Sequence, residues 1–347
     1  MRVGFVIYTL RLGGAERVLS LLANKMSLEN SVDIIKFDNK EPFYEINKSV
    51  KIINLPISND GFLGNLKRRF NKFLALRRIF KSAKYDIVIS FVDNANLPCL
   101  MANLGVKQKL IISEHSHYSL LSSWKWKIVR RLLYPFCDGL SVLSRSDYQY
   151  YSYVKNRSVI YNPFFGDSDI GGGVEKENLI LFVGRLEPVK GCDIFLNSLQ
   201  YCDLGDYRVE ICGDGSEFKR LKDQFSSDKI KFIGAVNDIK SYYKRAKILV
   251  LSSRNEGLGN VLIEACYYKI ARVATPTSGA CELICDNIDG LISDDFSPKS
   301  LAGRLNLVIK DELLRQRLAQ NSFENRDKFD VENIYQNWLN LINKALK

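Results

Sequence analysis

The sequence predicts an α/β protein made of two doubly wound domains that face each other across a cleft. Short aliphatic and β-branched runs alternate with helical stretches in two successive series, which is typical of parallel sheets covered by helices. A segment rich in glycine and acidic residues, FFGDSDIGGGVEKEN at 164–178, separates the two series and has the composition of a linker. At 347 residues the chain also exceeds what one hydrophobic core usually supports.

The first series begins with a strand at residues 2–8, a loop that contains two glycines, and a helix with apolar residues at helical spacing. Further strands are predicted at residues 32–37, 86–91, 109–113, 139–143 and 158–161. We therefore assign residues 1–163 to an N-terminal domain.

The second series contains predicted strands at residues 179–183, 208–212, 230–233, 248–251, 272–274 and 290–292. We assign residues 164–332 to a C-terminal domain. A last helix at about 333–347 is expected to pack back on the N-terminal domain.

Composition excludes several protein classes. The apolar fraction of 46% is that of a globular protein, and no apolar run reaches the roughly 18 residues of a membrane-spanning helix. The N-terminus lacks the length and cleavage site of a signal peptide, so we expect a cytoplasmic protein. Eight scattered cysteines and two histidines indicate reduced thiols rather than a metal site, and Cys281 and Cys285 receive no role. Asp294 and Asp295 are interpreted as a solvated turn.

The net charge of +11 is concentrated in the first half of the chain. Residues 1–163 carry 25 Lys and Arg against 12 Asp and Glu, whereas residues 164–347 carry 25 against 27. This asymmetry predicts an anionic partner for the N-terminal half: nucleic acid, an anionic membrane or a phosphorylated substrate.

The most informative motif is EGLGNVLIE at 256–264, in which two carboxylates flank a glycine turn and an apolar run. An aliphatic strand at 247–253 comes directly before it, so Glu256 and Glu264 are expected where a buried strand gives way to a helix. Open α/β sheets bind ligands at this position. The alternative is that one glutamate caps the helix and the other lies on a solvated face.

Other motifs follow predicted strands of the second series. VGRLEPVKG at 183–191 places Arg185 and Lys190 after a strand, where an arginine fork and a lysine charge suit a diphosphate. Gly213 in GDG and Val236 in FIGAV come after two further strands. Gly13 and Gly14 open the first helix of the chain, where backbone N–H groups favour an anion. Solvated cations and plain tight turns remain alternatives.

Taken together, GGAER, SEHS, NP, VGRLEPVKG, GDG, FIGAV and the two glutamates resemble glycosyltransferase family 4, the retaining enzymes with the GT-B fold, over nearly the whole chain. In detail, GGAERVL, ISEHS, LLYPFCDGLSVL and NWLNLI are similar to bacterial N-acetylgalactosaminyltransferases that extend undecaprenyl-diphosphate-linked oligosaccharides. The resemblance implies two Rossmann-like domains, the first binding the acceptor and the second the nucleotide sugar.

The resemblance also implies roles for individual residues. Glu256 and His115 would act at the reacting sugar, and Glu264 would bind the ribose hydroxyls. Arg185 and Lys190 would hold the donor diphosphate and stabilise its growing negative charge without a metal ion. The implied donor-binding set is Gly14, Arg185, Lys190, Gly213, Val236, Gly257, Leu258, Gly259, Asn260, Val261 and Glu264.

Two segments of the basic half predict contacts with the acceptor or a membrane. FLGNLKRRFNKFLALRRIFKSAK at 62–84 has the pattern of a basic amphipathic helix. Its cations would lie on an anionic membrane or bind the diphosphate of a lipid-linked acceptor. The alternative to both is a basic helix whose cations are only solvated. The cations assigned to this surface are Lys67, Arg68, Arg69, Lys72, Arg77, Arg78 and Lys81. Trp124 and Trp126, interleaved with lysines, are interpreted as interfacial aromatics, with core tryptophans as the alternative.

These observations predict a retaining, metal-independent transferase that moves a sugar from a UDP donor to a polyprenyl-diphosphate-linked glycan at the inner membrane face. N-acetylgalactosamine is the expected sugar. UDP-glucose, UDP-galactose, UDP-N-acetylglucosamine or GDP-mannose as donor for polysaccharide or lipopolysaccharide assembly is the alternative.

Two non-enzyme hypotheses also stay open. A nucleic-acid or anionic-surface binding protein would explain the basic half, but no nucleic-acid-binding motif accompanies the charge, and we expect no nucleic-acid partner. A non-catalytic sugar-nucleotide or partner-binding module would keep its function when Glu256 is replaced.

Overall fold

The computed structural model describes residues 1–55, 64–106, 108–120, 123–164, 166 and 175–347, with the backbone alone described at 64–69 and 120. The chain divides into two compact units. One comprises Met1–Asn162 with Ile334–Lys347, and the other comprises Pro163–Asn333.

The first unit contains a seven-stranded parallel sheet. Its strands are β1 (Arg2–Ile7), β2 (Ser31–Lys36), β3 (Lys51–Asn54), β4 (Ile87–Phe91), β5 (Leu110–Ser113), β6 (Gly139–Val142) and β7 (Arg157–Val159), in the order β3-β2-β1-β4-β5-β6-β7. The strand order reverses between β1 and β4, which is where a doubly wound sheet opens a ligand crevice at its carboxyl edge.

Helices connect these strands and cover the sheet. They are α1 (Gly14–Met26), α2 (Gly64–Ala83), α3 (Asp93–Asn103), α4 (Trp124–Leu133) and α5 (Arg145–Tyr150). In β1, β2, β4 and β5 nearly every residue is buried, because helices on both faces leave no solvated side of the sheet.

The second unit repeats this plan with six parallel strands. They are β8 (Glu177–Val183), β9 (Arg208–Cys212), β10 (Ile230–Gly234), β11 (Ala246–Leu251), β12 (Ala271–Ala274) and β13 (Leu291–Ile292), in the order β10-β9-β8-β11-β12-β13. The strand order reverses between β8 and β11. The helices are α6 (Cys192–Ser198), α7 (Phe218–Phe225), α8 (Lys240–Arg245), α9 (Asn260–Tyr267), α10 (Ser278–Leu283), α11 (Pro298–Lys310) and α12 (Glu312–Glu324).

The last helix, α13 (Val331–Leu346), returns to the first unit. Its buried residues Ile334, Trp338, Leu341 and Ile342 recur at helical spacing and form one apolar face. The Trp338 ring stacks on Phe91 at the end of β4, with ring centroids 5.6 Å apart.

The predicted fold class of two Rossmann-like doubly wound domains is therefore confirmed. Their arrangement across a cleft stays a prediction. Among the described residues, no helix has the length and apolar character that crossing a membrane requires.

Candidate functional site

The predicted donor-binding residues other than Gly14 gather at one edge of the second sheet. Arg185 follows β8, Gly213 follows β9, Val236 follows β10, and the segment from Glu256 to Glu264 follows β11. Because all four strands are parallel, their carboxyl ends lie at the same edge, beside the strand-order reversal between β8 and β11. This edge is the candidate donor site.

Lys190 and Glu256 form an ion pair at this edge. The Lys190 Nζ lies 2.6 Å from Glu256 Oε2, and the two side chains are 24% and 16% exposed. Ser253 Oγ donates to the same carboxylate oxygen at 3.1 Å. Sequence reasoning placed Lys190 at the phosphates and Glu256 at the sugar, and it did not anticipate that the two charges touch.

Arg254 joins the two loops that carry this pair. Its backbone N–H donates to Val189 O at 2.8 Å, and its guanidinium donates to Pro188 O and, in a bidentate contact of 2.6–2.7 Å, to the Asp193 carboxylate. The hydrogen bonds from Arg254 lower the pKa of Asp193. Arg254 therefore holds the Lys190 loop against the Glu256 loop.

A glycine makes the close approach of these loops possible. Gly191 has a φ of +61°, and an added Cβ would lie 2.0 Å from Ser252 O. Ser252 Oγ in turn donates to Gly191 O at 2.7 Å. Any side chain at position 191 would push the two loops apart.

The turn from Glu256 to Gly259 leads directly into α9. Gly259 precedes the helix in the left-handed region, at a φ of +79°. The first N–H groups of a helix lack intrahelical partners and favour an anion. Asn260 and Val261 are the first two residues of α9, so their N–H groups are suited to the phosphate contacts that the sequence predicts.

Gly279 supports this turn from behind. Its N–H donates to Glu256 O at 3.1 Å, and an added Cβ would lie 2.8 Å from both Cα and N of Leu258. Sequence reasoning missed Gly279, although a glycine in TPTSGA, just after the short strand at 271–274, was a possible signal.

Arg185 is an exposed cation of the site. Among the described residues its guanidinium has no hydrogen bond or ion pair. The hydrogen bonds from Ser216, and after them the Arg185 charge, lower the pKa of Glu187. Val236 is half-buried in the loop after β10. Gly213 has a packing role: at its φ of +148°, an added Cβ would lie 1.9 Å from Gly184 O. A donor contact for these three residues stays a prediction.

Glu264 lies on α9 and is half-buried. Its Oε2 accepts a hydrogen bond of 2.5 Å from the hydroxyl of Tyr243 on α8. Sequence reasoning missed Tyr243, because the two residues are 21 positions apart on different helices.

The first unit carries the remaining predicted residues. The first of them is His115, two residues after the end of β5. The ring stacks on Phe91 at 5.2 Å between centroids, and Nε2 lies 3.0 Å from Ser113 Oγ. Desolvation lowers the pKa of His115 to about 4, so the ring is neutral at neutral pH. It can exchange a hydrogen bond with a ligand but carries no charge there.

A buried carboxyl adjoins this histidine. Glu114 is 2% exposed and accepts hydrogen bonds from Asn96 Nδ2, at 3.0 Å, and from the Tyr134 hydroxyl. Burial raises the pKa of Glu114 to about 7. Arg130 Nη2, 3.7 Å from Glu114, also binds the carboxylate of Asp93 at the start of α3. The network fixes the loop that carries His115, and sequence reasoning missed it although Glu114 stands in SEHS.

Gly14 is the first residue of α1, at the carboxyl end of β1. The preceding Gly13 has extended backbone, and its carbonyl accepts a hydrogen bond from Tyr44 at 3.2 Å. The contact predicted between Gly14 and a donor held by the other domain stays a prediction.

The cations of α2 divide into two groups. Lys72 is buried, with Nζ 4.4 Å from the ring centroid of Tyr8, and Arg77 donates to the carbonyls of Ala102 and Leu104. These two have partners within the domain, whereas Arg78 and Lys81 are exposed. The side chains of Lys67, Arg68 and Arg69 lie outside the described residues.

The helix α4 exposes a row of large apolar side chains. Trp124, Ile128 and Leu132, spaced four residues apart, are 66%, 47% and 64% exposed, and Phe136, four residues further, is 63% exposed. Trp126 is 39% exposed. The alternative of core tryptophans is therefore wrong for Trp124 and Trp126, and their contact with a membrane stays a prediction.

No three His, Cys, Asp or Glu side chains come together as a possible metal site in the part of the chain that the structure describes. Metal independence of the reaction stays a prediction. All eight cysteines are free thiols, and those at 281 and 285 are exposed.

Comparison with known families matches both units. Residues 12–164 match the family model Glycosyltransferase Family 4, and residues 167–325 match Glycosyl transferases group 1.

Two relatives come from Campylobacter jejuni. One is a GalNAc-α-(1→4)-GalNAc-α-(1→3)-diNAcBac-PP-undecaprenol α-1,4-N-acetyl-D-galactosaminyltransferase, 40% identical over 99% of this chain and 98% of its own length. The other is an N-acetylgalactosamine-N,N′-diacetylbacillosaminyl-diphospho-undecaprenol 4-α-N-acetylgalactosaminyltransferase, 28% identical over 95% of this chain and 96% of its own.

Solved structures share the fold. A glycosyltransferase from Rickettsia africae superposes with a TM-score of 0.82 at 19% identity, covering 100% of this chain and 98% of its own. Anabaena HepE in complex with UDP-glucose superposes with a TM-score of 0.77 at 20% identity, covering 99% of both chains.

Proposed function

This chain belongs to the family 4 glycosyltransferases, and we propose that it transfers N-acetylgalactosamine from UDP-N-acetylgalactosamine to a polyprenyl-diphosphate-linked glycan. The observation that carries the proposal is the grouping of Arg185, the Lys190–Glu256 pair and Glu264 at one sheet edge. The 40% identity over the full chain to a transferase named for this sugar and this class of acceptor supports the choice of both.

The site is suited to stabilise a departing diphosphate. When the bond between sugar and phosphate breaks, negative charge grows on the phosphate oxygens, and fixed cations and helix N–H groups lower the energy of that state. Arg185 offers an exposed guanidinium fork, Lys190 a positive charge, and the start of α9 its backbone N–H groups. We propose that these groups suffice without a metal ion and that the transfer retains anomeric configuration.

His115 and Glu256 are the proposed contacts with the reacting sugar. The Glu256 carboxylate is held by Lys190 and Ser253, so its direction is set before the donor arrives. His115 is neutral and packed on Phe91, and it offers a hydrogen bond to a sugar hydroxyl or carbonyl without carrying a positive charge.

The direct test is a transfer assay with a panel of radiolabelled donors. Purified protein is incubated with UDP-N-acetylgalactosamine, UDP-N-acetylglucosamine, UDP-glucose, UDP-galactose or GDP-mannose and an undecaprenyl-diphosphate-linked oligosaccharide that ends in N-acetylgalactosamine. We expect label in the lipid fraction from UDP-N-acetylgalactosamine. Transfer from only one of the other donors would show that the enzyme transfers a different sugar from the one proposed. Transfer from no donor in the panel would overturn the proposal.

We further propose that α4 rests on the inner face of the cytoplasmic membrane. Trp124, Ile128 and Leu132 form an exposed apolar row, and Lys125 and Lys127 beside them complement anionic headgroups. A lipid-linked acceptor presents its diphosphate at that surface, so docking there would bring the enzyme to its substrate.

Sedimentation with vesicles tests this docking. Ile128→Ser/Leu132→Ser should reduce binding to phosphatidylglycerol vesicles about 30-fold or more, since each exposed leucine-sized side chain contributes about 1–2 kcal/mol on burial in lipid and two of them are removed. Leu313→Ser is the matched control, because Leu313 is 78% exposed on α12 of the other unit. Equal binding of all three proteins would refute docking through α4.

A further inference from the structure

Tyr243 is a buried tyrosine that no proposed catalytic step uses. It is 1% exposed, in the middle of α8, and its hydroxyl donates a hydrogen bond of 2.5 Å to Oε2 of Glu264. The two residues lie on consecutive helices that flank β11 in sequence. A buried hydroxyl therefore donates a hydrogen bond to the carboxylate that is predicted to bind the donor ribose.

The Tyr243 ring is held by other aromatic residues. It stacks on Tyr268 at 5.4 Å between centroids and 17° between planes, and Tyr268 meets the edge of Phe164 at 6.1 Å. Tyr268 directly follows α9, the helix that carries Glu264. The hydroxyl is thus fixed relative to this helix.

The direction of the hydrogen bond is also fixed. Burial, and then the charge of Glu264, raise the pKa of the Tyr243 hydroxyl well above its usual range. The hydroxyl keeps its proton at every physiological pH, so it is the donor and the carboxylate oxygen is the acceptor.

We propose that Tyr243 is a positioning residue that aims the Glu264 carboxylate at the donor ribose, and thereby sets the preference for a nucleotide with both ribose hydroxyls. The inference rests on the proposed function. A carboxylate is planar, so fixing one oxygen restricts where the other can point. Restricting the side chain before binding removes part of the entropy that binding would otherwise cost.

Calorimetric binding of UDP and of 2′-deoxyuridine diphosphate tests the inference without turnover. The wild type should bind UDP about tenfold more tightly than the deoxy compound, since a hydrogen bond to a charged group is lost. Tyr243→Phe should raise the Kd for UDP about fivefold to tenfold and leave that for the deoxy compound within about twofold. The matched control is Tyr242→Phe, which removes a neighbouring hydroxyl that has no hydrogen bond among the described residues.

Three outcomes would overturn the inference. If Tyr243→Phe prefers UDP over the deoxy compound by the same factor as the wild type, with neither Kd raised, the tyrosine does not orient the carboxylate. If the substitution weakens the binding of both compounds equally, its effect is one of general packing. If the wild type binds neither compound, the proposed UDP donor fails, and the inference fails with it. In the first two cases the proposed function stands.

Discussion

The ion pair between Lys190 and Glu256 leads to a prediction of opposite effects on binding and catalysis. The Glu256 carboxylate partly neutralises Lys190 across 2.6 Å. A donor diphosphate bound to Lys190 must then lie beside a negative charge. Glu256→Gln removes that charge and keeps the size of the side chain, so it should tighten UDP binding while slowing transfer.

The size of the effect follows from the geometry. A phosphate oxygen at hydrogen-bond distance from Lys190 Nζ would lie about 5 Å from the Glu256 carboxylate. Two like charges at that distance repel by about 3 kcal/mol at an effective dielectric constant of 20 and by about 0.8 kcal/mol at 80. Side chains that are 24% and 16% exposed belong between these limits. We expect about 1.4 kcal/mol, which is about a tenfold lower Kd for UDP.

Calorimetry with UDP and the initial rate of transfer measure the two effects. The transfer rate of Glu256→Gln should fall by about 100-fold or more, because a charged contact with the reacting sugar is lost. Glu175→Gln is the control, since it removes an equal charge before the amino end of β8, at the opposite edge of the sheet. A variant that binds UDP no more tightly than the wild type and transfers sugar at the same rate would refute both roles of Glu256.

Three further variants test the supporting structure. Gly279→Ala should weaken UDP binding at least about tenfold in calorimetry, because its Cβ, 2.8 Å from the Leu258 backbone, displaces the turn; unchanged binding would contradict this. Burial raises the pKa of Glu114 to about 7, so the protonated carboxyl stabilises the fold fully below its ordinary pKa, and this stabilisation is lost as the pH rises from that value through 7. In urea unfolding from pH 5 to 8 the free energy of unfolding of the wild type should therefore fall by up to about 3 kcal/mol, a loss that Glu114→Gln lacks. Parallel profiles of the two proteins would argue against this role of Glu114. Trp338→Ala should destabilise the first unit by about 3–5 kcal/mol in the same assay, because it removes a buried ring stacked on Phe91, and a loss below about 1 kcal/mol would be inconsistent with that packing.

The fold could be predicted from sequence because strands buried on both faces read as aliphatic runs between helical stretches. The sequence did not predict β3, because this strand lacks an aliphatic run that is buried on both faces. It has four residues, lies at the sheet edge and is half exposed, so its pattern resembles that of a loop. The helix predicted at 62–84 is observed as α2, Gly64–Ala83.

The position of the candidate donor site could also be predicted, because motifs that follow parallel strands meet at one edge of the sheet. The contacts between its side chains could not. Lys190 touches Glu256 across 66 positions, and Tyr243 touches Glu264 from another helix. Such pairs depend on loop geometry that no local pattern encodes.

The basic helix shows a different limit of sequence reasoning. A count of positive charges does not separate Lys72 and Arg77, which have partners within the domain, from Arg78 and Lys81, which are exposed. Long cationic side chains can cover apolar surface or cap a neighbouring helix, and only packing decides which of them remain at the surface.

Transfer of radiolabelled N-acetylgalactosamine in excess EDTA tests the central claim most directly. The purified wild type, with UDP-N-acetylgalactosamine and the lipid-diphosphate-linked acceptor, should label the lipid fraction at the same initial rate with and without the chelator, and Arg185→Ala should lose most of that rate. No labelled lipid in either condition, or label abolished by EDTA and restored by a divalent cation, would contradict the account of a metal-independent transferase.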